Sequence, residues 1–251
     1  MSRSTKRIDT VLFDLDDTII DWSTMEGTYG SINQKLAGNV YDHLQEEGHA
    51  LPERDVFLRA YRDVIVENWR VAKETWAGVN FAKSLQKVFT AVNLDLAQID
   101  LNAALIAYDW GPMPGVLPYE DATDMLDWLK ANDYQIGLVT NAMLPMWMRD
   151  AELEAYGLLH YFDARITSGD TGYMKPHPAI YWRIMGMLHT TPERCVFVGD
   201  RPGNDIVGAN DVGMHSVLID PPHLDHDLEG TVPDFTINTL RELIPILETL
   251  D

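Results

Sequence analysis

The sequence predicts an α/β fold: a parallel sheet with helices on both faces, and an all-helical segment inserted after the first strand. Three observations carry this. Beyond Gly115, helix and strand patterns alternate and the strands are apolar, as in a parallel sheet covered on both sides. Residues from about 24 to 109 show helical spacing without convincing strand signals. The apolar run Val11 to Phe13 precedes that segment and ends in three carboxylates, Asp14, Asp16 and Asp17, so it reads as the first strand of the same sheet.

In chain order, Val11-Leu-Phe13 has the composition of a buried strand. Apolar positions then recur at Tyr29, Ile32, Leu36 and Val40, at Phe57, Tyr61 and Val64, and at Phe81, Leu85, Val88 and Val92, each set lying along one helical face. Pro52 and Gly78 punctuate these sets. Gly111-Pro-Met-Pro-Gly115 closes the segment with the strongest turn signal in the chain. Ala122–Ala131 reads as a helix and Gln135–Thr140 as a strand. A helix around Pro145–Tyr156 precedes a short strand near Arg165–Thr167. Then follow a helix from Pro178 to Leu188, the strand Cys195–Val198, a helix from Asp205 and the strand Ser216–Ile219. The expected division is a discontinuous α/β core, 1–21 and 112–251, with a helical insert, 22–111.

The chain has 251 residues, 46% of them apolar, enough for a sizeable core. With 19 basic and 39 acidic residues the net charge is −20. That argues against nucleic acid or an anionic membrane as a main partner, and an anionic substrate must be held by local cations. Cys195 is the single cysteine, so no internal disulfide forms and a reducing, cytoplasmic compartment is expected. No apolar h-region follows the basic N-terminus, and no run reaches transmembrane length. Oligomeric state is not legible.

Ligands of open α/β sheets bind beyond the carboxyl ends of the strands, so the residues there matter most. Asp14 and Asp16 are two apart and face the same way in an extended chain, roughly 7 Å from each other. The strand Gln135–Thr140 ends in Thr140-Asn141. Lys175 stands in Tyr173-Met-Lys-Pro-His-Pro178, just before a helix. The strand at Cys195 ends in Gly199-Asp200, with Asp205 five residues on. Four segments thus bring carboxylates, a hydroxyl and an ammonium to one sheet edge. Clustered carboxylates suit a hard cation such as Mg²⁺, which usually keeps waters and a substrate phosphate in its shell.

These residues in this order resemble the four motifs of the haloacid dehalogenase-like (HAD) superfamily: Asp14-x-Asp16-x-Thr18, Thr140 after an apolar strand, Lys175 before Pro176, and Gly199-Asp200 with Asp205. The resemblance covers the whole chain. It implies a Rossmann-like core and a helical cap domain closing over the site. It implies Asp14 as the nucleophile that forms an aspartyl-phosphate and Asp16 as general acid/base. Thr140 with Asn141, and Lys175, would bind the phosphoryl group. Mg²⁺ would be held by the Asp14 carboxylate, the Asp16 backbone carbonyl and Asp200, with Asp205 behind them or ordering water. The activity implied is a Mg²⁺-dependent phosphatase of small phosphorylated metabolites, of the sugar phosphate, phosphoglycolate or nucleotide type. A phosphomutase shares every motif. A dehalogenase is disfavoured by Asp16, since a halide leaving group needs no proton, and a phosphorelay receiver by the insert.

Other residues read more plainly. Asp17 points away from Asp14 and Asp16 and is expected to be structural. His177 is expected to be solvent-exposed, Cys195 a core thiol, and the Pro222–Asp227 stretch a solvated loop. Most tryptophans of the insert are expected in its core, with Trp22 at the site entrance.

Overall fold

The computed structural model describes residues 7–224, 228 and 230–250. Six parallel strands form one sheet: β1 (Thr10–Phe13), β4 (Gln135–Thr140), β5 (Ala164–Thr167), β6 (Cys195–Gly199), β7 (His215–Ile219) and β8 (Phe235–Ile237), in the order β5-β4-β1-β6-β7-β8. All four residues of β1 are buried, as a strand needs to be when covered on both faces. Val11 is in register with Ile136 of β4 on one side and Val196 of β6 on the other. The chain builds outward from β1 through β4 to β5, then crosses back to start again at β6. The reversal opens a crevice beyond the carboxyl ends of β1 and β6, the place where such sheets bind ligands.

The helices of the core are α5 (Ala122–Ala131), α6 (Met146–Ala155), α7 (Ser168–Thr171), α8 (Pro178–Leu188), α9 (Val207–Val212) and α10 (Leu243–Leu250). Two expected elements differ in form. The helix expected from Asp205 starts as a π turn, Pro202–Ile206, before α9, and π turns concentrate at functional sites. His177, expected in solvent, is half-buried. Its Nδ1 accepts from the Ala179 amide at 3.1 Å, capping α8, and its ring stacks on Tyr173. Of the Pro222–Asp227 stretch, Asp225 to Asp227 lie outside the described residues, as do residues 1–6. His223 is described, with Nε2 at 3.2 Å from the Tyr119 hydroxyl.

The helices α1 (Tyr29–Glu46), α2 (Arg54–Thr75), α3 (Phe81–Ala91) and α4 (Leu101–Ala107) all lie between β2 (Ile20–Asp21) and β3 (Leu117–Pro118). These two short strands pair antiparallel, Ile20 with Pro118 and Asp21 with Leu117, so the chain leaves the core and returns side by side. Two residues per strand are too few for an alternation pattern in the sequence. The first helix is fixed by a capping box in which the Ser31 amide donates to Thr28 Oγ1 at 3.1 Å and the Thr28 amide to Ser31 Oγ at 3.2 Å. The apolar faces of these helices close on Phe57, Phe81, Phe89 and Tyr108, all fully buried.

A second seam joins insert to core. Between α2 and α3 the Gly78 amide donates to Gly172 O at 2.9 Å, the Met174 amide to Trp76 O at 3.0 Å and the Phe81 amide to Met143 O at 3.1 Å. Asn80 caps α3 through Oδ1 and donates from Nδ2 to Gly169 O at 3.0 Å. A Cβ at position 78 would lie 1.9 Å from the Ser168 carbonyl oxygen, so only glycine allows this approach.

Candidate active site

Asp14 follows the last residue of β1, and its amide still donates to Val198 O of β6 at 2.9 Å, so its place is set by the sheet. Lys175, fully buried before α8, puts Nζ at 2.7 Å from both Asp14 Oδ1 and Asp205 Oδ1. Asp200 follows β6 directly. Asp205 sits in the π turn, its Oδ2 accepting from the Arg201 amide at 2.9 Å. A Cβ at position 199 would lie 2.4 Å from the Asp205 carboxyl carbon, which is why glycine ends β6. The structure therefore brings Asp14, Lys175, Asp200 and Asp205 together. Carboxylate oxygens of the three aspartates lie within 4.8 Å of one another.

Three buried carboxylates around one ammonium leave an excess of negative charge. Burial raises the Asp14 pKa to about 7, with Lys175 opposing and Asp205 and Asp16 adding to the rise. Burial, then Asp205 and Asp14, raise that of Asp200 to about 9. Lys175 is pushed down by burial but further up by Asp14 and Asp205, so it stays charged. An all-oxygen, over-charged and buried donor set fits a hard divalent cation, which would let both aspartates ionise.

Asp16 looks the other way. Its Oδ1 accepts from Arg149 Nη2 at 2.6 Å and from Trp22 Nε1 at 2.9 Å, and its Oδ2 lies 3.5 Å from Thr140 Oγ1. Its carboxylate is not part of the acidic trio. It borders a cavity of about 270 Å³ lined also by Tyr29, Trp69, Trp110, Asn141 and Arg201. Trp22 thus stands at the entrance, as expected, but Trp69 and Trp110 line the same cavity as well. Asn141 lines it while bracing Lys175. Its Oδ1 accepts from the Lys175 amide at 2.7 Å and its Nδ2 donates to the Lys175 carbonyl at 2.9 Å, leaving one N–H for a ligand. Asp17 holds the turn after Asp16. It has φ 59° and its Oδ1 accepts from the Trp22 amide at 3.1 Å. Cys195 is buried, its thiol pushed up to about 12 chiefly by burial, which keeps it protonated and unreactive.

The sequence reading passed over Arg149 and Glu152. Both are buried on α6, on the same face as Met148 and Leu153. Two charges on the apolar face of a helix were the available signal.

A buried aspartate beside a buried lysine, with a second aspartate facing a cavity at the switch point of a parallel sheet, defines a class: α/β proteins with a carboxylate-rich site at the strand ends. The model of the haloacid dehalogenase-like hydrolases matches residues 8–213, and the chain belongs to that family. Among curated proteins it is 29% identical to a glyceraldehyde 3-phosphate phosphatase of Methanopyrus kandleri, over 97% of this chain and 98% of that one. It is 33% identical to a ribulose-1,5-bisphosphate 5-phosphatase of Halopiger xanaduensis, over 51% of this chain and 55% of that one. Among solved structures, a HAD phosphatase from Thermococcus onnurineus is 27% identical with a TM-score of 0.59, covering 96% of this chain and 98% of that one. A 2-haloacid dehalogenase from Pseudomonas syringae, 22% identical with a TM-score of 0.65 over 97% of this chain and all of that one, shares the fold.

Proposed function

We propose that the chain is a phosphatase of small phosphorylated metabolites that works through an aspartyl-phosphate on Asp14. The observation that carries this is the division of the two strand-end aspartates between environments. Asp14 is buried against Lys175, while Asp16 faces the cavity. In this reading Asp14 attacks phosphorus, and the bond to the ester oxygen breaks as Asp16 delivers a proton to that oxygen. Asp16 then takes a proton from water, whose oxygen attacks phosphorus and returns the Asp14 carboxylate with release of phosphate. In this reading Thr140, the remaining amide N–H of Asn141, and Lys175 meet the phosphoryl oxygens, Lys175 as a point charge. Asp205 holds Lys175 and the turn that bears Asp200.

Mg²⁺ is the cation that best suits the oxygen donors, with Asp14, the Asp16 backbone carbonyl and Asp200 as its ligands and Asp205 beside them. When bound, it supplies positive charge to the phosphoryl oxygens and keeps the aspartates ionised. The insert, 22–111, serves as the cap, and the cavity of about 270 Å³ that its Trp22, Tyr29, Trp69 and Trp110 help to line suits small esters rather than phosphoproteins. The names of the relatives above, phosphatases of a triose phosphate and a sugar bisphosphate, support this substrate class. No described helix is long and apolar enough to cross a membrane, and the charge of −20 disfavours nucleic acid.

A screen of phosphorylated metabolites with phosphate release as the readout tests the reading. Release from a small sugar or acid phosphate is expected, together with an acid-stable label on Asp14 after quenching. Label on another residue, or full turnover by Asp14→Asn, would overturn it.

A further inference from the structure

Arg149 is 3% exposed and lies in the first turn of α6. Its Nη2 holds Asp16 Oδ1 at 2.6 Å, its Nε lies 3.0 Å from Glu152 Oε2, and its guanidinium packs on the Trp110 ring with 5.5 Å to the centroid. Glu152 is fully buried and accepts from Trp110 Nε1 at 3.2 Å. A buried ion cluster adds little net stability compared with apolar groups of the same volume. What it does provide is direction. Arg149 and Trp22 occupy one oxygen of Asp16, while the other has only the long contact to Thr140 among the described interactions.

We propose that Arg149 is a positioning residue for the acid–base step: with Trp22 it locks Oδ1 of Asp16 and leaves Oδ2 as the oxygen that passes the proton to the ester and takes it from water. The proposal rests on the reading of Asp16 as the general acid/base. It also ties that group to the insert. Trp22 follows β2 and Trp110 precedes the Gly111–Gly115 turn, so the indoles that complete the network come from the two segments joining insert to core. Trp22 reaches Asp16 directly, and Trp110 reaches it through Arg149 and Glu152.

The test compares Arg149→Met, Arg149→Lys, Asp16→Asn and the double variant Arg149→Met/Asp16→Asn on an aryl phosphate and an alkyl phosphate. Removing Arg149 alone leaves the Glu152 charge buried, so Arg149→Met/Glu152→Met is measured beside it to separate folding from function. Misplacing a general acid is expected to lower the single-turnover rate of phosphoryl transfer from the alkyl ester to Asp14 by about 10–10²-fold. That loss should be smaller for the aryl ester, whose leaving group needs less protonation, while steady-state turnover, which also passes through hydrolysis of the shared aspartyl-phosphate, falls on both esters. Lysine should recover part of the loss. Because Arg149 acts through Asp16, the double variant should be no worse than Asp16→Asn. Additive losses in the double variant, equal losses of the phosphoryl-transfer rate on both esters, or weaker substrate binding with that rate unchanged would each overturn the proposal, the last pointing to a substrate anchor instead. If Asp16→Asn itself turned over normally on the alkyl ester, the acid–base reading would fail and take this proposal with it. Failure of the proposal alone would show a normal Asp16→Asn defect with Arg149→Met adding to it.

Discussion

Replacing Lys175 by methionine should expose how far the site is held together by charge. The methionine keeps the unbranched apolar stem and removes the ammonium that lies 2.7 Å from both Asp14 and Asp205. All three groups are buried, and removing one partner from a buried pair costs about 3–5 kcal/mol because it leaves uncompensated charge. The cost has an escape, since Asp14 can take up a proton. With Lys175 in place its folded pKa is already about 7 against an ordinary 3.8. Folded protein therefore binds the extra proton between those values, and stability falls as pH rises across that window. Without the lysine the folded value moves higher still, so Asp14 keeps lowering the variant's stability above about pH 7, where its contribution in the parent is complete and only the decline from Asp200, at about 9, continues. The gap between the two should therefore be widest near pH 8, about 3–5 kcal/mol, and much smaller near pH 5. Urea unfolding of chelated protein, followed by tryptophan fluorescence at both pH values, measures it. An equal gap at the two pH values, or no gap at pH 8, would refute the reasoning.

Three further outcomes are expected. Phosphatase activity should vanish with chelator and return with Mg²⁺ but poorly with Ca²⁺, whose larger and looser shell would misplace Asp14; Mg²⁺ at about 100 times its Kd should also stabilise the protein by about 2.7 kcal/mol, read as a Tm shift. Asp16→Asn should lower turnover by about 10²–10⁴-fold and let aspartyl-phosphate accumulate, visible by acid quench and mass spectrometry. Gly78→Ala sets a Cβ 1.9 Å from the Ser168 carbonyl and should loosen the seam between insert and core, lowering kcat/KM on small esters while the core stays folded by circular dichroism.

Much of the site was legible because a parallel sheet sends every strand's carboxyl end to one edge. Local patterns around Asp14, Thr140 and Asp200 therefore sufficed to place these residues together, although they are far apart in the chain. Glycine at 199 belongs to the same local logic, since its lack of a side chain admits Asp205. The helical insert was visible from its 3.6-residue spacing alone. The two-residue ribbon β2–β3 was not, because it has no pattern to show.

What the tertiary structure decided is which way each charged group faces. Asp14 and Asp16 are the same residue type two positions apart, yet one meets Lys175 and the other Arg149. Arg149 and Glu152 share a helix face with Met148 and Leu153, which hints at burial, but the group that covers them, Trp110, stands 42 residues from Glu152 in the chain. Burial of that pair follows from where the insert returns to the sheet. Sequence determined the residue types and the edge at which they gather, since both depend on local periodicity and strand polarity. Which carboxylate is buried, which is steered by an arginine and which faces the cavity are set by contacts between distant segments, and no local pattern encodes those.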